Sequence, residues 1–109
     1  MKRLSGTVDN NDSGMPGESY SDYKDAIVLV ANTNQTIDIP TGAKKARFKA
    51  TGSADFWIKF GGAAAIPSSN VTDGTASRLN PDGIITLDGA TTVGIISAVV
   101  CVVAIEYWA

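Results

Sequence analysis

From Thr91 to Trp108 the chain reads TTVGIISAVVCVVAIEYW, an apolar run whose one charged residue is Glu106. A run of this kind folds either as a membrane-spanning helix or as buried β-strands, and its residue types decide between them. The 17 uncharged residues between Asp88 and Glu106 sit at the lower limit of a helical span. Val, Ile and Thr dominate the run, and they crowd the preceding turn of a helix but pack well on a pleated surface. Gly94 and Ser97 interrupt it, and no basic flank follows it. The run therefore predicts two strands, Thr92–Ile96 and Val99–Tyr107. In the second, Val99, Cys101, Val103, Ile105 and Tyr107 share one face, while Val100, Val102, Ala104 and Trp108 share the other, broken only by Glu106. A strand apolar on both sides is covered on both sides. In a chain of 109 residues, the second cover is expected from another subunit or from the N-terminal arm.

The remainder of the sequence supports one small all-β domain. Residues 1–25 form a polar, Gly- and Ser-rich arm without helical or strand period, expected to be flexible or ordered only on a partner. Residues 26–109 form the folded domain. Ala26–Ala31 and Gln35–Ile39 read as strands separated by Asn32-Thr33-Asn34. Lys44–Ala50 alternates cleanly, with Ala46, Phe48 and Ala50 on one face and Lys45, Arg47 and Lys49 on the other. Thr51-Gly52-Ser53 then predicts a hairpin into a strand at Phe56–Phe60, where Phe56, Ile58 and Phe60 oppose Trp57 and Lys59. A long polar loop follows, with turn signals at Asp73-Gly74 and Asn80-Pro81-Asp82-Gly83, and a short strand at Ile84–Leu87 ends at Asp88-Gly89. Lys44, Lys45, Arg47 and Lys49 are four of the nine basic residues. They read either as a solvated strand face that discourages stray pairing or as a contact for an acidic partner surface.

Several chemistries lack their residues. The sequence has no histidine, so neither a Ser–His or Cys–His nucleophile nor imidazole metal ligation can be built. Cys101 is the single cysteine; it cannot form an internal disulfide or a thiolate zinc site, and its apolar setting reads as a small buried hydrophobe. The loop carboxylates Asp55, Asp73, Asp82 and Asp88 show no spacing that pairs them for acid–base work. Gly61-Gly62 lacks the lysine and helix start of a phosphate loop. Asp9-Asn10-Asn11-Asp12-Ser13-Gly14 opens like a calcium loop, but its twelfth position is Tyr20 where a bidentate Glu is needed, and Glu18 falls two residues short. A formal net charge of −2 gives no general affinity for nucleic acid or anionic membrane. No signal peptide is expected from Met1-Lys2-Arg3-Leu4, and the glycosylation-type triplets at Asn11, Asn34 and Asn70 then read as chance. The expectation is a protein that is not an enzyme and needs no cofactor or metal. The two tryptophans could form a carbohydrate-stacking platform, with Trp57 the better candidate because it shares the polar face with Lys59, and Tyr107 is a second candidate partner for it; core or interface packing is the competing role for these rings.

Asp55-Phe56-Trp57-Ile58-Lys59-Phe60-Gly61-Gly62, then Ala65-Ile66-Pro67, then Val71-Thr72-Asp73-Gly74-Thr75-Ala76-Ser77-Arg78-Leu79-Asn80-Pro81 make up a distinctive series. With the closing Val102-Val103-Ala104-Ile105-Glu106-Tyr107-Trp108, it resembles small virion structural proteins of tailed bacteriophages, over roughly residues 45–108. The resemblance implies a β-sandwich or jelly-roll module and leaves the N-terminal arm unaccounted for; with the arm read from composition, the expected fold is an all-β, antiparallel β-sandwich, jelly-roll-like, with an extended N-terminal arm. It further implies a capsid decoration (cement) protein on the virion surface, made in the host cytoplasm, with the major capsid protein and its own copies, as a homotrimer, for partners. The expected oligomer or capsid interface comprises Val100, Val102, Trp108, Lys45, Arg47 and Lys49. A tail- or head-fibre module meeting a host surface glycan, or a free carbohydrate-binding β-sandwich, are the alternatives. No catalytic residue comes with the resemblance.

Overall fold

The computed structural model describes residues 1–4 and 20–109. The calcium-loop-like segment Asp9–Gly14, the triplet at Asn11 and most of the predicted arm lie outside the described residues. The described residues hold no helix, and their strands are β1 (Tyr23–Leu29), β2 (Gln35–Asp38), β3 (Lys45–Ala50), β4 (Phe56–Phe60), β5 (Arg78–Leu79), β6 (Ile85–Thr86), β7 (Thr92–Ser97) and β8 (Cys101–Trp108). They form two antiparallel four-stranded sheets, one in the order β1-β8-β3-β6 and the other in the order β2-β7-β4-β5. β1 begins at Tyr23, inside the segment that composition assigned to the arm. β5 falls within the stretch that reads as loop.

The predicted hairpin from β3 into β4 does not form. The two strands lie in different sheets, and Thr51–Asp55 crosses between them. Local sequence gives both strands and the turn correctly but carries no signal for the sheet each joins, because partners are chosen by distant segments. Pairing is nested: β1 with β8, β2 with β7, β3 with β6, and β4 with β5, with β3·β8 and β4·β7 completing the sheets. Of the consecutive strands, only β4 and β5 pair.

The core lies between the sheets and draws on the alternation read from sequence. Ala46 and Phe48 of β3, Phe56 and Ile58 of β4, Val93 and Ile95 of β7, and Cys101, Val103, Ile105 and Tyr107 of β8 are all buried in one apolar cluster, joined by Leu29, Ile39 and Leu87. β8 is flanked by β1 and β3 along its length, so its inward side chains are fully enclosed. Val99, expected on that inward face, instead sits in the turn before β8 and is half exposed.

The two outer faces differ. Over the β2-β7-β4-β5 sheet, the β4–β5 connection crosses at Gly94, with Ala64 buried beneath it. The Ala64 N–H donates to Asn34 Oδ1 at 2.8 Å, the Ala65 N–H to Ser77 Oγ at 3.0 Å, and Lys59 Nζ to the Thr75 carbonyl at 3.3 Å. The bonds to Asn34 and Lys59 hold the connection down on the sheet, and the bond to Ser77 braces it internally. The outer face of the β1-β8-β3-β6 sheet has no such loop among the described residues, and valine and alanine side chains stand exposed on it.

Candidate functional site

The candidate site is that open sheet face, built by register. Lys45, Arg47 and Lys49 of β3 stand directly opposite Trp108, Glu106 and Ala104 of β8. Glu106, Ala104 and Val102 stand opposite Lys24, Ala26 and Val28 of β1. Directly opposed residues of an antiparallel pair share a face, so these side chains all project outward together. One end is apolar: Val28 is 61% exposed, Val30 59% and Val100 71%, and Val102 is half-buried beside them. The middle carries the row Lys24–Glu106–Arg47, in which Arg47 Nη2 lies 3.4 Å from Glu106 Oε1. Both side chains of that pair are partly solvent-exposed, so the ion pair adds little to stability and chiefly fixes where the charges sit. Counted together, the face carries four basic side chains and one acidic, on a chain whose formal net charge is −2.

Five of the six predicted interface residues thus come together on one surface. Val102, Lys45, Arg47 and Lys49 share the strand face, and Val100 borders it from the turn before β8. Trp108 is the exception and corrects the sequence expectation. It has the outward parity of β8, yet it is fully buried within the subunit and lies outside the core cluster. The first residues of the chain run past this end of β8: the Ala109 N–H donates to the Lys2 carbonyl at 2.9 Å, and the Lys2 N–H donates to Asp22 Oδ1 at 2.7 Å. Lys2 Nζ also lies 3.7 Å from the centre of the Tyr20 ring, within cation–π range. Parity identified the face of Trp108, and of the two covers expected for that face, another subunit or the N-terminal arm, the start of the chain lies at this end of β8.

The carbohydrate platform is also corrected. Tyr107 is fully buried, and it lies in the β1-β8-β3-β6 sheet while Trp57 lies in the other, so the two rings cannot form one stacking surface. Tyr107 packs edge-on against Tyr23, with ring centroids 5.9 Å apart. The loop carboxylates stay separate. Asp55 Oδ1 accepts from Asn80 Nδ2 at 2.7 Å, and Asp73 Oδ1 accepts from the Thr75 hydroxyl at 2.6 Å and from its N–H at 3.1 Å. The side-chain bond from Thr75 is the main reason the Asp73 carboxyl titrates below its usual range. Among the described residues no group of three or more His, Cys, Asp or Glu is placed to hold a metal ion, and no helix is long and apolar enough to cross a membrane.

A second feature was not legible in the sequence. Beside the basic row, an open cleft of about 620 Å³ runs between β3 and the Asn80–Gly83 segment, with Phe48, Lys49, Ala50, Phe56, Pro81 and Asp82 among its walls. Asn80 shapes its far side. Its N–H donates to the Phe56 carbonyl at 2.8 Å while its Oδ1 accepts from the Phe56 N–H at 2.9 Å, extending the β4–β5 ladder with a side chain. The backbone of Asn80 adopts φ +41°, a conformation asparagine tolerates better than most residues. The turn signal Asn-Pro-Asp-Gly was visible in sequence, but the bracketing role of its first residue was not. Comparison with protein-family models, curated proteins and solved structures returned no significant match.

Proposed function

We propose that this protein is a non-enzymatic structural component of a bacteriophage virion, a capsid decoration module that binds the shell through the outer face of the β1-β8-β3-β6 sheet. The observation that carries the reading is the asymmetry between the two outer faces: one is covered by the chain's own loop, while the other leaves Val28, Val30 and Val100 in solvent beside a basic row. Exposed contiguous apolar side chains rimmed by charge mark interaction surfaces. The nested strand order β1-β8-β3-β6 over β2-β7-β4-β5 supports the jelly-roll-like reading of the sandwich, an architecture used by viral capsid and lectin domains among others. Architecture by itself does not assign function; the residue series from Asp55 to Pro81 supplies the phage resemblance. Self-association, expected as a trimer, would use the same apolar end of the face.

Co-sedimentation with purified empty shells of the major capsid protein tests the proposal. Wild-type protein is expected to pellet with shells, and Val28→Asp combined with Val100→Asp to lose at least about tenfold in affinity, the scale of a disrupted central apolar contact. Wild-type protein that stays in the supernatant at every concentration would remove the decoration reading. A second reading, a tail- or head-fibre module, is favoured by the residues from Pro67 to Ala76, all of which are exposed and free to meet a host surface. Binding to host cells but not to shells would select it.

A further inference from the structure

We propose that the cleft along β3 is an acceptor site for an extended segment of a partner protein, which adds as a strand to the free part of the β3 edge and alternates apolar and acidic side chains. The inference rests on the adhesive reading above and names the kind of contact that would hold the partner.

The backbone geometry comes first. The Thr51 N–H donates to the Val102 carbonyl and Ala46 pairs with Ile85, while Lys44, just before β3, is split between the two sides, its N–H donating to the Trp108 carbonyl and its own carbonyl accepting from the Leu87 N–H. In an antiparallel ladder, successive residues direct their N–H and C=O groups to opposite sides. Along β3, odd-numbered residues therefore bond to β8, and even-numbered residues face β6. The pairing with β6 covers only Lys45 and Ala46. The N–H and C=O groups of Phe48 and Ala50 point past the end of β6 into the cleft, and no partner among the described residues meets them there. Phe48 is only 4% exposed, so its groups lie on a buried wall of the cleft, and Ala50 beyond it is half-buried. Backbone polar groups in such a place are normally paired, and an added strand is the ligand that satisfies donors and acceptors together.

Side chains then define the occupant. In an added strand, the residue opposite Phe48 would point inward toward Phe48 and Phe56, which asks for an apolar group. Its neighbours would point outward beside Lys49, which is exposed, and this asks for a carboxylate. Nucleic acid fits poorly: its phosphates could meet N–H groups but would leave the carbonyls unmet against two phenylalanine rings. A second copy laid on the adjoining face would set one row of cations against another.

The probe is a synthetic peptide of alternating glutamate and valine, with affinity measured by titration and the contact mapped by amide hydrogen exchange on the whole chain. Peptide binding is expected to slow exchange at Phe48 and Ala50. Ala50→Pro, which removes a cleft-facing N–H and no bond to β8, is expected to weaken binding about tenfold. Lys49→Glu, on the exposed side and neutral for folding, is expected to weaken it severalfold, and added salt should reduce the wild-type affinity. Unchanged exchange at Phe48 and Ala50 under saturating peptide would overturn the proposal, as would equal affinity for a lysine–valine peptide. Protection that appears without peptide as protein concentration rises would replace the partner by a second copy, and protection by an oligonucleotide would replace it by nucleic acid. Shell co-sedimentation is scored separately: its failure removes the capsid reading and leaves the strand-acceptor site standing.

Discussion

Gly94 lies in the middle of β7 with its missing side chain directed at the β4–β5 connection. A Cβ built there would collide with the Gly62 carbonyl oxygen and come within 2.6 Å of the Ala64 nitrogen and 2.9 Å of Asn34 Oδ1. The first two are backbone atoms and cannot swing aside, so Gly94→Ala is expected to cost about 2 kcal/mol as the connection lifts. Gly62→Ala serves as the control, since a Cβ there meets nothing within 4 Å and should change stability by less than about 0.5 kcal/mol. Urea unfolding of both variants checks the pair. Sequence showed Gly94 only as an interruption in an apolar run; the reason for it lies in the distant Gly62, Ala64 and Asn34. Tyr107 gives a second residue-scale prediction. Its hydroxyl is buried with no hydrogen-bond partner among the described residues, and burial, with the nearby Asp25 carboxylate and Tyr23, holds its pKa above the ordinary tyrosine value. Raised in the folded state, it contributes stability that is complete below the unfolded value of about 10 and is lost as pH rises beyond it. Tyr107→Phe is expected to gain about 1 kcal/mol at neutral pH by removing an unsatisfied group, and to lose less stability than wild type above pH ~10 when urea midpoints are compared.

Among the elements, β8 carries both the core and the open face. Its two-sided apolar pattern was plain in the sequence, and the structure supplies a different cover for each part of it. The inward side chains meet the second sheet, Trp108 is covered within the subunit, and Val102 and Ala104 remain on the open face. The start of β1 is closed by a side chain as well. Ser21 Oγ lies 2.8 Å from the Tyr23 carbonyl and 2.7 Å from the Tyr107 carbonyl, and accepts from both of their N–H groups at 3.2 Å. One hydroxyl thus bridges the last rung of β1 and β8. The start of the chain adds its own contact through Lys2 and Ala109. Deleting Met1–Leu4 is expected to expose Trp108, seen as a red shift of emission in a Trp57→Phe background. An unshifted spectrum would assign its cover to other residues.

For the whole molecule, nested pairing means that the sheets form only when the two halves of the chain meet. Segments distant in sequence must close before their contacts stabilise anything, which favours slow, cooperative folding. Cys101 reports on that cooperativity. It is 6% exposed in the core cluster, so its thiol should react with an aromatic disulfide reagent only as the protein unfolds. The fraction labelled is expected to track the urea transition measured by tryptophan emission. Labelling well below that transition would reveal a local opening at the start of β8.

The amino-acid sequence by itself determined the all-β class and the positions and faces of the main strands, because side-chain alternation and β-branched composition act over neighbouring residues. It also placed Val102, Lys45, Arg47 and Lys49 on outward faces, since parity within a strand is a local property. Tertiary structure alone decided which sheet each strand joins, that β3 and β4 separate where a hairpin is expected, that Trp108 is enclosed, and that β6 stops short and leaves the cleft along β3. Each of those outcomes depends on distant segments meeting, and no window of sequence contains both partners.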